Sequence, residues 1–173
     1  ATRLWWACKL YGFDTRVLDG GIDAWKAAGY DVNRLSSPSK PGNGNVVLEG
    51  GMPLLNVSHD AVWKCKNDPM WYLWDIRSKA EVEGSRDRAT RMGTIPWQEA
   101  LVPWKEVHGE DGEFLDAMGL KSQVIDKYDF MPSAHHVFFC QSGVRVTQTL
   151  FALYAYGFPV EHLHIYDSSW IYW

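Results

Sequence analysis

The sequence predicts an α/β fold, because short apolar runs typical of buried strands alternate along the chain with segments of helical periodicity. The clearest run covers residues 137–139 and is followed, after a short loop, by an apolar-periodic helix that starts near Val146. Residues 72–75 and 162–166 are predicted to form two further strands. The 173 residues suffice for one ordinary domain and part of another.

The first third of the chain contains three predicted elements and a turn. Residues 1–11 form a helix with Gly12 as its C-cap, and residues 15–18 form a short strand. A turn over 19–21 leads into a second helix over 22–28.

The next stretch reads as a linker, because residues 36–45 are rich in Pro, Gly, Ser and Asn. Beyond it, three more segments are predicted: a helix from the N-cap Ser58 to about Lys66, a short helix from Ser78 to Val82 with Glu81 completing a capping box, and a weak helix over 121–127.

Composition excludes two classes of partner. A net charge of −4 with no dense basic face argues against nucleic acid, and no apolar run approaches the ~20 residues of a membrane helix. No signal peptide is visible, but Ala1 is not a native start. The compartment is therefore left open, with the cytoplasm or the mitochondrion favoured over secretion.

The strongest functional signal is Cys140, which follows the strand at 137–139 directly. The carboxyl end of a strand is where α/β sheets place their ligands. Residues 141–145 form a loop with one glycine, Gly143, that leads into a helix N-terminus, and such amides favour anions and thiolates. Arg145 ends the loop with a fixed positive charge. The pattern predicts nucleophilic chemistry at Cys140; the alternative is a buried packing cysteine.

The other cysteines are predicted to be packing residues. Cys8 lies in an apolar helical run, and Cys65 lies among polar residues on a helix surface. Three cysteines without repeated spacing predict neither a disulfide framework nor a zinc site, and the paired histidines near 135 and 162 lack ligand spacing. No metal or cofactor is predicted.

An internal repeat relates the two ends of the chain. Residues 6–13 align with residues 151–158, and after a three-residue insertion residues 17–19 align with residues 165–167. The alternative is a chance similarity of short amphipathic segments. On the repeat interpretation, residues 1–32 end a first domain, residues 33–50 are the linker and residues 51–173 are a second, catalytic domain. The chain would then be a fragment of a two-domain protein.

Four motifs occur in a recognisable order. They are Val17-Leu18-Asp19-Gly20-Gly21 leading to Trp25, Leu73-Trp74-Asp75-Ile76-Arg77-Ser78, Gly93-Thr94-Ile95-Pro96 with Val102-Pro103-Trp104, and Tyr166-Asp167-Ser168-Ser169-Trp170. Together with Cys140 they resemble the tandem-domain rhodanese family of sulfurtransferases, with Thr94 in place of the family's histidine. The resemblance covers essentially the whole chain. It implies a parallel sheet with helices on both faces, and an inactive first domain before an active second one.

The resemblance also implies the chemistry. Cys140 would take a sulfane sulfur from thiosulfate or 3-mercaptopyruvate as a persulfide held by the amides of residues 141–146, and pass it to a thiol, a protein thiol or cyanide. Gln141, Ser142, Gly143, Val144 and Arg145 form the predicted binding loop, and Asp75 is expected to support it. Arg77, Arg88 and Arg91 are further candidates for binding the anionic donor, because Glu81 stands where the family often carries an arginine. The missing N-terminal half of the same protein is the other expected partner.

The loop length and loop residues separate the alternatives. Cys140 to Arg145 is Cys-x4-Arg, as in sulfurtransferases, whereas cysteine phosphatases use Cys-x5-Arg. Ser142-Gly143-Val144 matches the mercaptopyruvate group, but Gln141 and Arg145 depart from it, so the donor stays open. A sulfur carrier or regulatory module without turnover is the main alternative, and a phosphatase the lesser one.

Overall fold

The computed structural model describes residues 1–33, 42, 44, 47, 51–52, 55–85 and 91–173. Arg88 and almost all of the predicted linker lie outside these residues. No helix in the described part of the chain is long and apolar enough to span a bilayer.

The core of the fold is a four-stranded parallel sheet. Its strands are β1 (Trp71–Asp75), β2 (Ala100–Leu101), β3 (His135–Phe139) and β4 (Leu163–Ile165), arranged in the order β2-β1-β3-β4. β1 pairs with β3 along its whole length, from Trp71 opposite His135 to Asp75 opposite Phe139. A single parallel bridge from Asn56 to Ile165 extends the sheet beyond β4. Because all strands run the same way, their carboxyl ends meet at one edge, and Cys140 lies there.

Helices cover both faces of this sheet, as the resemblance of the motifs implies. The helices are α1 (Thr2–Leu10), α2 (Gly21–Ala27), α3 (His59–Lys64), α4 (Lys79–Val82), α5 (Ala117–Leu120), α6 (Asp126–Tyr128), α7 (Val146–Tyr156) and α8 (Ser169–Tyr172). A π-helical turn, Lys121–Ile125, joins α5 to α6, and 3₁₀ turns cover Trp104–Val107 and Val160–His162.

Alternating side chains of the strands build two apolar cores. Trp74 and Phe138 face α1, α5 and α7, whereas Leu73, Val137 and Phe139 face α3 and α8. This alternation is the two-residue period of a strand buried on both faces.

The N-terminal segment, residues 1–33, packs on the sheet and its helices through α1. Trp5 and Trp6 are 2% and 3% exposed and join the core formed by α7. The predicted strand at 15–18 is wrong, because these residues form no strand. A strand needs a partner, and none of the described strands pairs with this segment.

The internal repeat has a counterpart in the backbone. At the end of α1, Phe13 N–H donates to Cys8 O over 2.9 Å, and at the end of α7 the aligned Phe158 N–H donates to Leu153 O over 3.0 Å. The glycines that precede these phenylalanines both have positive φ. The following turns match as well, since Gly21 and the aligned Ser169 have φ values of 59° and 54°. The aligned segments therefore adopt the same helix cap, and their turns share the positive φ at Gly21 and Ser169 but differ one residue earlier, where Gly20 is left-handed and Ser168 is right-handed.

Candidate active site

Cys140 sits at the end of β3, where its residue is only 1% exposed. Its amide donates to the hydroxyl of Ser169 over 3.2 Å, and its carbonyl accepts from the amide of Trp170 over 3.0 Å. The turn into α8 therefore holds both backbone groups of the cysteine.

Hydrogen-bond donors outside the Cys140 loop (residues 140–145) bind backbone carbonyl groups on both sides of the loop. On the first side, Gln141 O accepts from the amide of Ile171 over 3.1 Å. On the second side, Gly143 O accepts from Nη1 of Arg3 over 3.0 Å, and Val144 O accepts from Oγ1 of Thr147 over 2.8 Å. Together with Cys140 O, four loop carbonyls are engaged by groups outside the loop.

Fixing these carbonyls also fixes the amides that follow them. In a planar trans peptide the C=O and the next N–H point in opposite directions, and the described chain contains no cis peptide bond. The amides of residues 141, 142, 144 and 145 consequently point away from the groups that hold the carbonyls. Within the described residues, the amides of 142–146 donate to no protein acceptor. The loop thus offers a set of oriented donors to an anion.

Gly143 is required by this arrangement. Its φ is +76°, and a Cβ placed there would lie 2.6 Å from the carbonyl oxygen of Asp167 and still closer to its Oδ1. A larger residue would displace Asp167 or distort the loop.

Arg145 is engaged by Glu81 instead of facing an open anion site. Its Nη1 donates to Oε2 of Glu81 over 2.7 Å, and its Nη2 donates to Oε1 over 2.6 Å. The hydrogen bonds from Arg145 lower the pKa of Glu81 to about 2, and Glu81 in turn raises the pKa of Arg145. The expectation that the Arg145 guanidinium binds the donor therefore differs from the structure. It also removes the support that a phosphatase would draw from this arginine.

Glu81 is itself held by the helix N-cap that the sequence predicts. Its Oε2 accepts from the amide of Ser78 over 3.1 Å and from the Ser78 hydroxyl over 2.9 Å. The side chain of Glu81 is 3% exposed, so its ion pair with Arg145 is held in place and largely excluded from solvent.

Asp75 and Arg77 form a second ion pair beneath the site. Nη2 of Arg77 lies 2.6 Å from Oδ2 of Asp75, and both side chains are fully buried. Asp75 also accepts from Thr94 Oγ1 over 2.7 Å, and Arg77 donates to Gly93 O over 2.7 Å. The pair anchors the 93–94 turn, and in the described structure Asp75 makes no hydrogen bond to the Cys140 loop. Arg77, predicted as a donor-binding residue, is inaccessible to a solute.

Arg91 was also predicted to bind the anionic donor, and in the structure it is exposed and lies beside the site. Its guanidinium lies 5.3 Å from the centre of the Trp170 ring, and its carbonyl accepts from Trp170 Nε1 over 3.1 Å. Trp170 in turn binds the carbonyl of Cys140. Ser142 and Val144 are exposed loop residues, whereas Gln141 is buried.

Two residues at the site were missed by sequence reasoning. Ser169 holds the Cys140 amide from a left-handed backbone conformation, and the signal for it was its alignment with Gly21 in the repeat. Arg3 reaches the loop from 140 residues away in sequence, and no sequence pattern indicated it.

The remaining cysteines are not part of the site. All three cysteines are free thiols. Burial raises the pKa of Cys65 to about 12, and its Sγ donates to Ala61 O over 3.3 Å, so this thiol stays protonated at neutral pH. No group of three or more metal-binding side chains is found among the described residues.

Comparison with known proteins relates the whole chain to sulfurtransferases. A probable 3-mercaptopyruvate sulfurtransferase of Pseudomonas aeruginosa is 31% identical over 178 residues, covering 100% of this chain and 60% of that protein. The mitochondrial thiosulfate/3-mercaptopyruvate sulfurtransferase 1 of Arabidopsis thaliana is 26% identical over 201 residues, covering 100% of this chain and 50% of that protein. A putative thiosulfate sulfurtransferase of Mycobacterium bovis is 30% identical, with 97% and 57% covered. No family model matches the chain.

Solved structures show the same fold. The anaerobic ergothioneine biosynthesis enzyme from Chlorobium limicola matches 100% of this chain and 42% of its own length, with a TM-score of 0.84 and 23% identity. A persulfide-bearing variant of EanB in complex with ergothioneine matches with a TM-score of 0.87 and 22% identity.

The fold and the site define a parallel α/β domain with a cysteine loop at the carboxyl edge of its sheet. Because these sulfurtransferases match essentially its whole length, the chain belongs with them to the rhodanese family. This result confirms the resemblance that its motifs indicated. It spans 50% to 60% of the length of these relatives.

Proposed function

We propose that this chain is the catalytic part of a sulfurtransferase that carries a sulfane sulfur on Cys140. The observation that carries the proposal is the orientation of the loop amides, which follows from the four engaged carbonyls. A cysteine persulfide is an anion on an extended sulfur, and oriented amides stabilise charge that develops there. The names of the relatives support the same class of reaction.

In the first half-reaction the thiolate of Cys140 attacks the outer sulfur of the donor. With thiosulfate, the S–S bond of the donor breaks and sulfite leaves with the electron pair. With 3-mercaptopyruvate, the C–S bond breaks, the electron pair forms the enolate of pyruvate, and the thiol proton ends on its carbon. Either reaction leaves one additional sulfur on Cys140.

In the second half-reaction an acceptor thiolate or cyanide attacks the outer sulfur of the persulfide. The S–S bond breaks and its electron pair returns to Cys140, which regenerates the thiolate. The two half-reactions form a ping-pong cycle with Cys140 as the nucleophile in the first and the leaving group in the second.

The charges around the loop favour 3-mercaptopyruvate over thiosulfate. Arg145 is neutralised by Glu81, and Arg3 is neutralised by Asp167. Because both cations are already paired, neither provides net attraction for an anion, and a donor with one negative charge loses less by this than a donor with two. We propose that Arg91, which lies beside Trp170, binds the carboxylate of the donor.

A two-donor assay tests this function. The purified chain is mixed with each donor and with a thiol or cyanide, and the release of pyruvate or sulfite is followed. We expect turnover with both donors and a higher kcat/KM for 3-mercaptopyruvate. A persulfide that forms once but does not turn over with cyanide or small thiols would favour the sulfur-carrier alternative. Absence of both turnover and persulfide would refute the proposal.

We propose further that residues 1–32 are the end of a first rhodanese-like domain. The matching helix caps of the repeat and the shared positive φ at Gly21 and Ser169 support this, as does the greater length of the relatives. This segment also exposes an unusual number of large apolar side chains: Leu4, Tyr11, Phe13, Leu18, Ile22, Trp25, Tyr30 and Val32. Such a surface is expected where a preceding domain packs.

This domain assignment has its own test. Residues 1–32 are too few to bury a core, so the isolated segment should be unfolded by circular dichroism. Joined to the first domain of a relative, the chain should gain thermal stability and lose its binding of a hydrophobic dye. Unchanged dye binding and stability would contradict a covering first domain.

A further inference from the structure

The first turn of α1 contacts the Cys140 loop through Arg3. Nη1 of Arg3 lies 2.5 Å from Oδ1 of Asp167, and Nη2 donates to Oδ2 over 3.0 Å. The same Nη1 donates to Gly143 O over 3.0 Å. One guanidinium therefore joins the turn before α8 to the middle of the loop.

A second contact from the same helical turn reaches the next carbonyl of the loop. The hydroxyl of Thr147 donates to Val144 O, so its single proton is used there. Thr2 lies 2.8 Å from the Thr147 oxygen and must therefore be the donor to it. Thr2 and Thr147 are both buried, which fixes the direction of this chain of hydrogen bonds.

The position of Arg3 is itself constrained. Its guanidinium stacks 4.2 Å from the centre of the Trp6 ring, and Trp6 is 3% exposed with its Nε1 donating to Leu55 O. A planar guanidinium that is stacked and forked onto a carboxylate has little freedom to move. The bond to Gly143 O is therefore part of a rigid assembly.

We infer that Arg3 is a positioning residue for the reaction at Cys140, an inference that rests on the proposed function. By holding Gly143 O it turns the Val144 amide toward the opposite side of the peptide, where we propose that the persulfide charge develops. The catalytic loop thus depends on the segment that precedes the linker. A lysine cannot replace the arginine fully, because an ammonium lacks the fork that reaches Asp167 and Gly143 together.

The test compares Arg3→Ala and Arg3→Lys with the control Lys9→Ala. Lys9 is on the same helix, lies 5.6 Å from the Tyr154 ring and pairs with Asp14, but makes no contact with the loop. Single-turnover persulfide formation should slow about 10- to 100-fold in Arg3→Ala and less in Arg3→Lys, while Lys9→Ala should stay close to wild type. Melting temperatures measured in parallel should fall more in Arg3→Ala than in Lys9→Ala, and the rates are compared at a temperature at which both variants are fully folded.

Hydrogen exchange separates this inference from the proposed function. The hydrogen-bonded amides that join the loop to α8, those of Cys140, Trp170 and Ile171, should exchange faster in Arg3→Ala than in Lys9→Ala, whether or not the wild type transfers sulfur. Equal exchange in the two variants would overturn the inference, and so would equal rates of persulfide formation. A wild type that forms no persulfide while exchange still differs would refute the function and keep the positioning role of Arg3 in the loop.

Discussion

The amide of Cys140 and the hydroxyl of Ser169 are joined by a hydrogen bond of 3.2 Å, and Ser169 makes it from a left-handed backbone with a φ of 54°. Its hydroxyl also donates to Tyr166 O over 3.0 Å, and the residue is fully buried. The aligned residue in the repeat is Gly21, for which this conformation costs nothing. The strain at Ser169 is thus linked to holding the nucleophile.

Replacing Ser169 should separate stability from activity. Ser169→Gly relieves about 1 kcal/mol of backbone strain but leaves the buried Cys140 amide without its acceptor, which costs about 1–3 kcal/mol. We expect a small net loss of stability in urea unfolding and a rate of persulfide formation that falls about tenfold.

The control for Ser169 is Asp129, which has the same φ of 54° but is exposed at the end of α6. Asp129→Gly should be neutral or stabilising and should leave the rate unchanged. Equal effects of the two glycine substitutions on the rate would show that the hydroxyl of Ser169 has no role at Cys140.

Glu81→Gln should improve thiosulfate as a donor while it lowers stability. The substitution removes the carboxylate that neutralises Arg145, so the KM for thiosulfate should fall about 3- to 10-fold, and that for 3-mercaptopyruvate less. Glu83→Gln is the matched control, because Glu83 lies on the same helical turn but pairs with the exposed Lys79. A KM for thiosulfate that changes equally in both variants would contradict the role given to the Glu81–Arg145 pair.

Glu81 also makes a specific contribution to acid stability. Its pKa is lowered from 4.5 to about 2 by Arg145, so the folded state binds this proton less readily than the unfolded state. The stabilisation is present above pH 4.5 and is lost as the pH falls toward 2; it amounts to a value on the order of 3 kcal/mol. Urea unfolding of Glu81→Gln should lose the part of the acid dependence that lies in this range. A variant that keeps the full dependence would assign it to other carboxylates.

His136 should add a second pH dependence at a higher pH. Burial lowers its pKa from 6.5 to about 4, and its ring accepts from Trp74 Nε1 while the other nitrogen donates to Met131 O. Protonation favours the unfolded state, so stability should be full above pH 6.5 and decline as the pH falls toward 4. In His136→Gln this slope should disappear, whereas in the control His162→Gln it should persist. A slope that survives in His136→Gln would place its origin elsewhere.

Much of the fold could be predicted from local sequence. The apolar runs before Asp75 and Cys140 gave β1 and β3, and the N-cap Ser78 lies where the pattern predicts it; the C-cap of α1 is Tyr11, one residue before the predicted Gly12, which has a positive φ. The absence of a strand at residues 15–18 could not be predicted from local sequence, because such a segment forms a strand only where a partner strand is present, and none of the described strands pairs with it.

For the site as well, some features could be predicted from local sequence and others could not. The position of Cys140 and the need for positive φ at Gly143 follow from a short loop between a strand and a helix. The partner of Arg145 could not be predicted, because local sequence ties Glu81 to its own helix cap and says nothing of a contact 64 residues away. The contact between Arg3 and Asp167 could not be predicted for the same reason, because the two residues are 164 positions apart in sequence and meet only in the folded structure.

Cys140 is the residue that we propose carries the transferred sulfur. The most direct measurement is peptide mass mapping of the chain after incubation with 3-mercaptopyruvate or thiosulfate, in the absence of an acceptor. We predict an added mass of one sulfur atom on the peptide of Cys140, none on Cys65, whose pKa of about 12 keeps it protonated, and none in Cys140→Ser. The added sulfur should leave when cyanide is supplied. A persulfide found chiefly on Cys8 or Cys65, or sulfur transfer that survives in Cys140→Ser, would contradict the account.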